Sequence, residues 1–323
     1  MRIDVQSHIF PEPLIKRLEG RRDLPRAVRS NGKVKMVCSP HTGWPILPGM
    51  NDLDMKLEAM DKNRVDVQLL SLNVPGPELV GGPEAEDLAK LAHDCLAEVT
   101  HQYPDRFWGV ATLGLSDMEA SLRELDRCLD DFGFKGVQLF SNVRGRPLDD
   151  PFLRPLYERC AELDLPIFLH PTVPVTEGAM PNYYLPVLVG FLFDTTLAAL
   201  RLILSGTLQE LPRLKVVLPH VGSTLPYLLG RIDYLSASMP GGREHIQMAP
   251  SEYFKKFYVD SVSSYQPAID YCYALTGAER ILFGTDYPWV SMEMAVELVE
   301  GMRISEAERE QIFSGNAKRI LRK

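Results

Sequence analysis

The chain has 323 residues, 45% of them hydrophobic and 24% charged, which is the composition of an ordinary globular protein able to bury a core. Its formal net charge of −8 and the lack of a basic stripe argue against a nucleic-acid-binding surface. Five cysteines without a C-x-x-C pair do not indicate a disulfide framework. Neither a leader nor an uninterrupted apolar run of about 18 residues is visible. We therefore predict a cytoplasmic protein that binds neither nucleic acid nor a membrane.

The first ten residues, MRIDVQSHIF, predict a strand with polar side chains on one face. Asp4, Gln6 and His8 alternate with Ile3 and Val5. Because residues two apart in a strand point to the same side, Gln6 and His8 are predicted to enter one cavity. For this stretch alone, a polar pair that meets solvent at the end of a strand is the simpler interpretation.

Residues 11–50 predict a small insertion after the first strand, with a short helix at 13–19 and a hairpin that includes 33–37. Further strands are predicted at 65–72, 107–113, 136–140, 167–170, 215–219, 257–262 and 281–283. Helices are predicted at 52–62, 84–103, 118–131, 151–164, 188–211, 225–235 and 266–275, followed by terminal helices up to residue 322. Repeated βα units of this number favour a single α/β domain over 1–323, a (β/α)8 TIM-like barrel, with a doubly wound open sheet as the alternative.

Polar residues follow several of the predicted strands, which is where barrel enzymes carry their chemistry. Gln6 and His8 end the first strand, His170 the fifth, His220 the sixth, and Asp286 follows the eighth. A single histidine after an apolar strand is most often structural. Because three of the seven histidines share this position with an aspartate, the set as a whole indicates a metal or acid–base site.

Four segments in this order, IDVQSHIFP, FLHPT, LKVVLPHVGSTLPYLLGRID and ILFGTDYPW, resemble the signature segments of the amidohydrolase superfamily. They are most similar to the branch that contains aminocarboxymuconate-semialdehyde decarboxylase and related aromatic-acid decarboxylases. The resemblance implies a divalent ion, zinc or in some members manganese, held by His8, His170 and Asp286. Imidazole and carboxylate suit such ions, and three protein ligands leave a position for water or substrate.

Gln6 departs from this family pattern, in which the first ligand on strand one is histidine or glutamate. Glutamine offers only a neutral carbonyl oxygen of lower basicity, so the metal affinity should fall. Three interpretations remain open: Gln6 is a weak ligand, it hydrogen-bonds a metal-bound water or the substrate, or the site has lost its metal.

The resemblance assigns further roles to His220 and Arg231. His220 corresponds to an acid–base histidine near the metal, with an orienting role as the alternative, and Asp286 could also shuttle a proton. Arg231 lies eleven residues beyond His220, where the decarboxylases place an arginine that reaches a neighbouring subunit and grips a substrate carboxylate. This role implies a homodimer, and a surface pair with Asp233 is the alternative.

A second substrate-binding arginine of the family has no counterpart here, because the chain has no arginine between Arg29 and Arg64. This difference weakens the prediction of that particular substrate. Phe191 and Trp289 are candidate substrate contacts at the barrel mouth, although aromatic residues there are often packing. The mixture suits a small carboxylate-bearing or aromatic substrate.

The leading functional prediction is a metal-dependent lyase that decarboxylates a small unsaturated or aromatic carboxylic acid. The first alternative is a metal-dependent hydrolase of a C–N, ester or C–C bond, which would use the same side chains. The second is a ligand-binding barrel with an impaired metal site, motivated by Gln6. Retention of His8, His170, His220 and Asp286 together argues against this last alternative.

Overall fold

Parallel strands follow one another around a barrel in the computed structural model, which describes residues 1–321. The strands are β1 (Ile3–Ile9), β2 (Arg26–Ser30), β3 (Lys33–Val37), β4 (Gly43–Pro45), β5 (Val67–Leu72), β6 (Phe107–Gly109), β7 (Ala111–Thr112), β8 (Val137–Phe140), β9 (Ile167–His170), β10 (Val216–Leu218), β11 (Tyr258–Asp260) and β12 (Ile281–Leu282). All except β2–β4 belong to the barrel, and their side chains are buried because helices cover the outside of the ring.

Two groups of parallel strands join to close the barrel. One group has the order β1-β5-β6 and the other the order β12-β11-β10-β9-β8-β7. The backbone nitrogen of Val5 donates to the Phe283 carbonyl at 2.9 Å and so joins the last strand to the first. The third barrel strand, predicted as one piece at 107–113, is divided at Val110 into β6 and β7. The predicted (β/α)8 barrel is confirmed.

The α-helices lie between and after the barrel strands, as the alternating pattern predicts. They span Glu12–Glu19, Leu53–Asn63, Gly82–Gln102, Met118–Asp130, Arg154–Glu162, Phe191–Leu204, Thr207–Glu210, Leu225–Ser238, Pro250–Phe254, Gln266–Thr276, Met292–Glu300, Glu306–Glu310 and Asn316–Ile320. Asp52 and Asp117 begin two of them by accepting hydrogen bonds from the first-turn nitrogens of Met55 and Ala120, both at 3.0 Å. Residue 322, the last residue predicted to be helical, lies outside the described residues.

The prediction of one helix over 188–211 is wrong. A π-helical turn at Pro186–Gly190 leads into the α-helix Phe191–Leu204, and a separate short helix begins at Thr207. The break falls at Gly206, whose φ of 81° lies in the left-handed region that glycine adopts without a steric penalty. Ser205-Gly206 is a turn dipeptide, so the sequence carried a sign of this break that the prediction of one helix overlooked.

The segment Pro186–Leu204 is long and apolar enough to span a membrane by length and composition, with a mean hydropathy of 2.0. The count of uninterrupted apolar residues does not detect it, because Asp194 and Arg201 interrupt the run. Asp194 is buried and accepts hydrogen bonds from Asn142 Nδ2 at 2.9 Å and from the Val175 nitrogen at 3.0 Å. These contacts attach one side of the helix to the barrel, and 44% of the window is buried.

The insertion after β1 forms an antiparallel sheet of β2, β3 and β4 that lies over the carboxyl ends of the barrel strands. The indole nitrogen of Trp44 in β4 donates to the carbonyl of Val74, in the loop after β5, at 3.1 Å. The hydroxyls of Ser39 and Thr42 donate to Glu177, in the loop after β9. The predicted hairpin is present, and these contacts place it beside the region where the strand-end polar residues lie.

Candidate active site

His8, His170 and Asp286 come together at the carboxyl ends of three barrel strands. Their possible ligand atoms all lie within 4.8 Å of one another. His8 Nε2 is 2.9 Å from Asp286 Oδ1, and the two imidazole rings meet edge to face with centroids 4.6 Å apart. The strand-end positions singled out in the sequence therefore converge on one buried point.

Hydrogen bonds to the outer ring nitrogens orient both imidazoles toward this point. His170 Nδ1 donates to the Pro171 carbonyl at 2.7 Å, and His8 Nδ1 lies 3.3 Å from Ser71 Oγ. Burial lowers the pKa of His170 to about 3, so its ring is neutral at physiological pH. A neutral imidazole with Nδ1 occupied presents Nε2 as a free ligand atom.

A backbone hydrogen bond and a left-handed backbone conformation hold Asp286 in place. Its nitrogen donates to the Gln6 carbonyl at 2.8 Å, and its φ of 56° lies in the left-handed region, which aspartate tolerates better than most residues. Burial alone would raise the pKa of Asp286, but hydrogen bonds and charges from His220 and His8 outweigh it and hold the pKa well below its usual range. The group is an anion at neutral pH.

His220 follows β10 and faces the second oxygen of the same carboxylate. Its Nε2 is 3.8 Å from Asp286 Oδ2. Its backbone nitrogen donates to Asp260 Oδ1 at 2.7 Å, which fixes a residue with a φ of 56°. Burial lowers the pKa of His220, but the nearby carboxylate of Asp286 outweighs this effect, so the pKa is raised overall. A histidine whose pKa lies above its usual 6.5 is suited to hold and release a proton near neutral pH.

Gln6 lines a small cavity together with His170 and Asp260, next to the three-residue cluster. Its side chain is buried, and its amide nitrogen has no hydrogen-bond partner within the described chain. A buried amide without a partner is costly, so this group is suited to binding something in the cavity. The structure thus places Gln6 at the site.

The donor set fits one divalent transition-metal ion. Two imidazoles and one carboxylate with fixed outer contacts are ligands that zinc and manganese accept, and they leave positions for substrate oxygens. His8, His170 and Asp286 could therefore hold such an ion together.

The predicted substrate-binding residues are distributed differently. Phe191 is half-buried and packs edge to face against Trp44, with ring centroids 5.9 Å apart. The nitrogen of Trp289, which is 38% exposed, donates to the Asp286 carbonyl at 2.8 Å. Arg231 is exposed on the helix Leu225–Ser238 and pairs with no acidic residue of the described chain. Its predicted alternative partner, Asp233, instead accepts from the Ser251 nitrogen at 3.0 Å.

A second buried cluster, His93, Glu124 and Cys128, also has the composition of a metal site. His93 Nε2 accepts the backbone N–H of Thr112 at 2.9 Å, so Nδ1 carries the proton and donates to Glu124 Oε1 at 2.7 Å. Arg127 neutralises the same carboxylate. Because both ring nitrogens are occupied, this cluster fastens helices to the barrel and is not a ligand site.

Several residues that shape the site were missed at the sequence level. Asp260 ends β11 just as His170 ends β9, so its position was a usable signal. Asp4 precedes Gln6 by two residues, but β1 is irregular between Asp4 and Ser7, and Asp4 bonds Gln68 and Thr285 instead of lining the cavity. Lys56, a buried helical residue that donates to the His8 carbonyl at 3.1 Å and to Ser7 Oγ at 2.9 Å, had no signal in the pattern.

Glu78, in the loop after β5, is a buried carboxyl close to the site. Both of its carboxyl oxygens lack a hydrogen-bond partner among residues 1–321. The Glu78 carboxyl and the Phe140 ring both lie close to Gly76. The centroid of the Phe140 ring is 5.7 Å from that of the His170 ring, which connects Glu78 to the site. Burial raises the pKa of Glu78 to about 8, so the group is mostly protonated at neutral pH.

Glu78→Gln is expected to stabilise the protein in a pH-dependent way. The folded state binds a proton that the unfolded state has released between pH 4.5 and about 8, so the wild type loses stability as the pH rises through this window. The glutamine variant has no such loss, and its free energy of unfolding at pH 8 should exceed that of the wild type by on the order of 3 kcal/mol. Thermal unfolding at pH 4 to 9 measures the difference. Glu98→Gln, an exposed control, should show none, and parallel curves for Glu78→Gln and wild type would contradict the burial argument.

Comparison with known proteins places this geometry in a family. A family model described as "Amidohydrolase" matches residues 3–323. The chain is 34% identical to 2-amino-3-carboxymuconate-6-semialdehyde decarboxylase of Dictyostelium discoideum, over 99% of this chain and 91% of the relative. It is 36% identical to gamma-resorcylate decarboxylase of Rhodococcus jostii, over 86% of this chain and 90% of the relative.

A solved structure has the same fold. It is 5-carboxyvanillate decarboxylase of Novosphingobium aromaticivorans complexed with manganese, with a TM-score of 0.83 and 26% identity over 99% of this chain and 95% of the other. These matches confirm the resemblance carried by the segments around His8, His170, His220 and Asp286. The chain belongs to the amidohydrolase family, in the branch of the aromatic-acid and aminocarboxymuconate-semialdehyde decarboxylases.

Proposed function

We propose that the protein is a metal-dependent lyase that catalyses non-oxidative decarboxylation of a small aromatic or unsaturated carboxylic acid. The observation that carries this proposal is the convergence of His8, His170 and Asp286 beside His220, in a barrel whose relatives are named decarboxylases. Manganese is the proposed ion, because the structural relative described above binds it, and zinc is the alternative. When bound, the ion supplies positive charge that holds substrate oxygens and stabilises negative charge on them.

The reaction replaces a C–COO⁻ bond by a C–H bond, so it releases carbon dioxide and consumes one proton. His220 and Asp286 are placed to hold that proton, since Nε2 of the one faces Oδ2 of the other at 3.8 Å. Trp44 of the insertion sheet packs edge to face against Phe191, and we propose that this pair shields the barrel mouth from water. We assign Phe191 and Trp289 to contacts with the planar part of the substrate.

The proposal is tested by measuring carbon dioxide release from gamma-resorcylate, 5-carboxyvanillate and aminocarboxymuconate semialdehyde. We expect release from at least one acid, loss of release after treatment with a chelator, and recovery on addition of Mn²⁺. His101→Gln, a control at an exposed histidine, should behave as the wild type. Turnover of esters or amides by the manganese-loaded protein without carbon dioxide release would instead indicate the hydrolase alternative.

We also propose that the protein is a homodimer. Large apolar side chains are exposed on two neighbouring helices and the loop before them: Tyr183, Tyr184, Leu188, Phe193, Leu197, Tyr227 and Tyr234. A monomer rarely exposes so large an apolar surface. Arg231 lies on the second of these helices without a partner in the described chain, so a second copy seated there would place this cation at the interface.

The dimer proposal predicts a solution mass near twice 36.4 kDa. Phe193→Asp and Leu197→Asp together should yield a monomer in light scattering, because each places a charge in the interface. Met294→Asp, an equally exposed apolar residue elsewhere, is the control and should remain dimeric. A monomeric wild type, or a double variant that stays dimeric, would contradict the proposal.

Arg231 is proposed to act in the active site of the partner subunit. Arg231→Ala and Asp286→Asn should each have little activity by themselves. A mixture of the two variants whose subunits have exchanged should recover activity, because each mixed dimer contains one site with both residues intact. Recovery to about a quarter of the wild-type rate is the upper limit for random exchange of two variants. The absence of recovery, with exchange verified by mass spectrometry, would place Arg231 in its own subunit's site or outside any site.

We place the protein in the cytoplasm. All five cysteines are free in the described structure, and four of them, Cys38, Cys128, Cys160 and Cys272, are buried. Free thiols persist in a reducing compartment.

A further inference from the structure

Gln6 and Asp260 both lie close to Gly284, a glycine just after the last barrel strand. A Cβ placed on Gly284 would lie 3.4 Å from the Cβ of Gln6 and 3.1 Å from that of Asp260. Because Gly284 has no side chain, nothing from this residue fills the space between the two. The same two side chains line the cavity that also contacts His170.

Each of the two side chains has one buried polar atom without a partner in residues 1–321. These are Gln6 Nε2, a hydrogen-bond donor, and Asp260 Oδ2, an acceptor. The other oxygen of Asp260 accepts the backbone nitrogens of His220 at 2.7 Å and Val262 at 3.0 Å, so Oδ2 alone is left for the cavity. Buried polar atoms are paired in nearly all proteins, and here a donor and an acceptor share one enclosed space.

The cavity has room for a single water molecule. A water between Gln6 Nε2 and Asp260 Oδ2 would satisfy both atoms. Because water can pair with either end of an amide, the charge of Asp260 decides the rotation: an ionised carboxylate attracts the amide nitrogen and repels the oxygen. The carbonyl oxygen of Gln6 would then face the other way, toward His8 on the same strand face.

We propose that Asp260 is a positioning residue that, through one water molecule, holds the amide nitrogen of Gln6 and so turns its carbonyl oxygen toward the ion bound by His8, His170 and Asp286. An amide oxygen is a neutral ligand of the kind that manganese accepts. This arrangement shows how the chain keeps an oriented oxygen ligand at a position where the family has histidine or glutamate. The inference depends on the metal binding proposed above but not on the identity of the substrate.

The test is a double-mutant cycle on metal affinity, measured without substrate. The dissociation constant for Mn²⁺ is obtained by competition with a chelator for wild type, Asp260→Asn, Gln6→Met and the double variant. Asp260→Asn retains the oxygen that binds the backbone of His220 but replaces the other acceptor with a donor. We expect it to weaken Mn²⁺ binding about 10- to 100-fold in the wild type, as the loss of a residue that orients a ligand typically does.

The proposal further requires that Asp260→Asn have no additional effect in the Gln6→Met background, where there is no amide to orient. An equal loss in both backgrounds would show that Asp260 acts only through the backbone of His220, and would overturn the inference. Unchanged affinity in Asp260→Asn would also overturn it. Full Mn²⁺ occupancy without carbon dioxide release would count against the decarboxylase proposal and leave this inference standing.

Gly284→Ala provides a second, independent variant should Asp260→Asn fail to fold. Its added methyl would lie between Gln6 and Asp260 at the tight distances given above, while the atoms of all proposed ligands remain unchanged. It should weaken Mn²⁺ binding at least several-fold in the wild type and not in Gln6→Met. The same affinity for Gly284→Ala and wild type would contradict the proposed contact.

Discussion

Replacing Asp286 with asparagine is expected to lower kcat/KM for decarboxylation by at least about 1,000-fold. The substitution removes the negative charge that faces His8 Nε2 at 2.9 Å and His220 Nε2 at 3.8 Å. It therefore weakens the binding of the ion and removes the anion that raises the pKa of His220. One carboxylate serves both functions, so the effect of its loss should exceed that of removing an acid–base residue alone.

The fold should survive this change. Asparagine has the shape of aspartate and tolerates the left-handed φ of 56° at this position at least as well. Thermal unfolding of Asp286→Asn should therefore lie close to that of the wild type, and metal analysis should show reduced occupancy. Asp87→Asn, at an exposed aspartate, is the matched control for loss of one carboxylate. Activity of Asp286→Asn within tenfold of the wild type would mean that Asp286 neither binds the ion nor handles the proton.

The positions of the strand-end residues could be predicted because they depend on a regular pattern. In a repeated βα pattern, the carboxyl ends of all strands lie at one end of the barrel. Histidines and aspartates that end these strands therefore lie together there, regardless of the exact bounds of the helices. His8, His170, His220 and Asp286 are adjacent in the structure for this reason. The barrel itself followed from the same alternation.

The contacts that orient these residues could not be predicted, because they join side chains far apart in the sequence. Asp260 supports His220 from the neighbouring strand, and Lys56 reaches the His8 carbonyl from a helix. The turn at Gly206 is different, because Ser205-Gly206 is a local turn signal that the prediction of one helix overlooked. Contacts between side chains on distant elements leave no such local signal.

Asp4 is the residue whose removal should destabilise the barrel most. Its Oδ1 accepts the nitrogens of Gln6 at 3.0 Å and Thr285 at 2.9 Å. Its Oδ2 accepts Gln68 Nε2 and Thr285 Oγ1, both at 2.6 Å. One buried carboxyl thus joins β1, β5 and the segment after β12, directly before the proposed ligand Asp286.

Asp4→Ala would leave these four buried donors without an acceptor, and each unsatisfied donor costs about 1–3 kcal/mol. Allowing for partial relaxation, we expect a loss of about 3–5 kcal/mol and a fall in the unfolding midpoint of about 5–10 °C. Because Thr285 would lose its anchor, Mn²⁺ affinity should fall as well. An unfolding midpoint within about 2 °C of the wild type would show that the network is dispensable.

Asp4→Asn is the matched variant, and its behaviour separates hydrogen bonding from charge. Gln68 Oε1 is buried without a partner in the described structure. If the Gln68 amide rotates, this oxygen can accept a hydrogen bond from the side-chain nitrogen that the substitution introduces. Most of the stability should therefore remain. Burial raises the pKa of Asp4 to about 6, so the wild type loses stability as the pH rises from 3.8 to about 6. The asparagine variant has no such loss, and its stability relative to the wild type should improve across that window. If Asp4→Asn loses as much stability as Asp4→Ala at every pH, asparagine does not preserve the hydrogen bonds, and the explanation by hydrogen bonding is wrong.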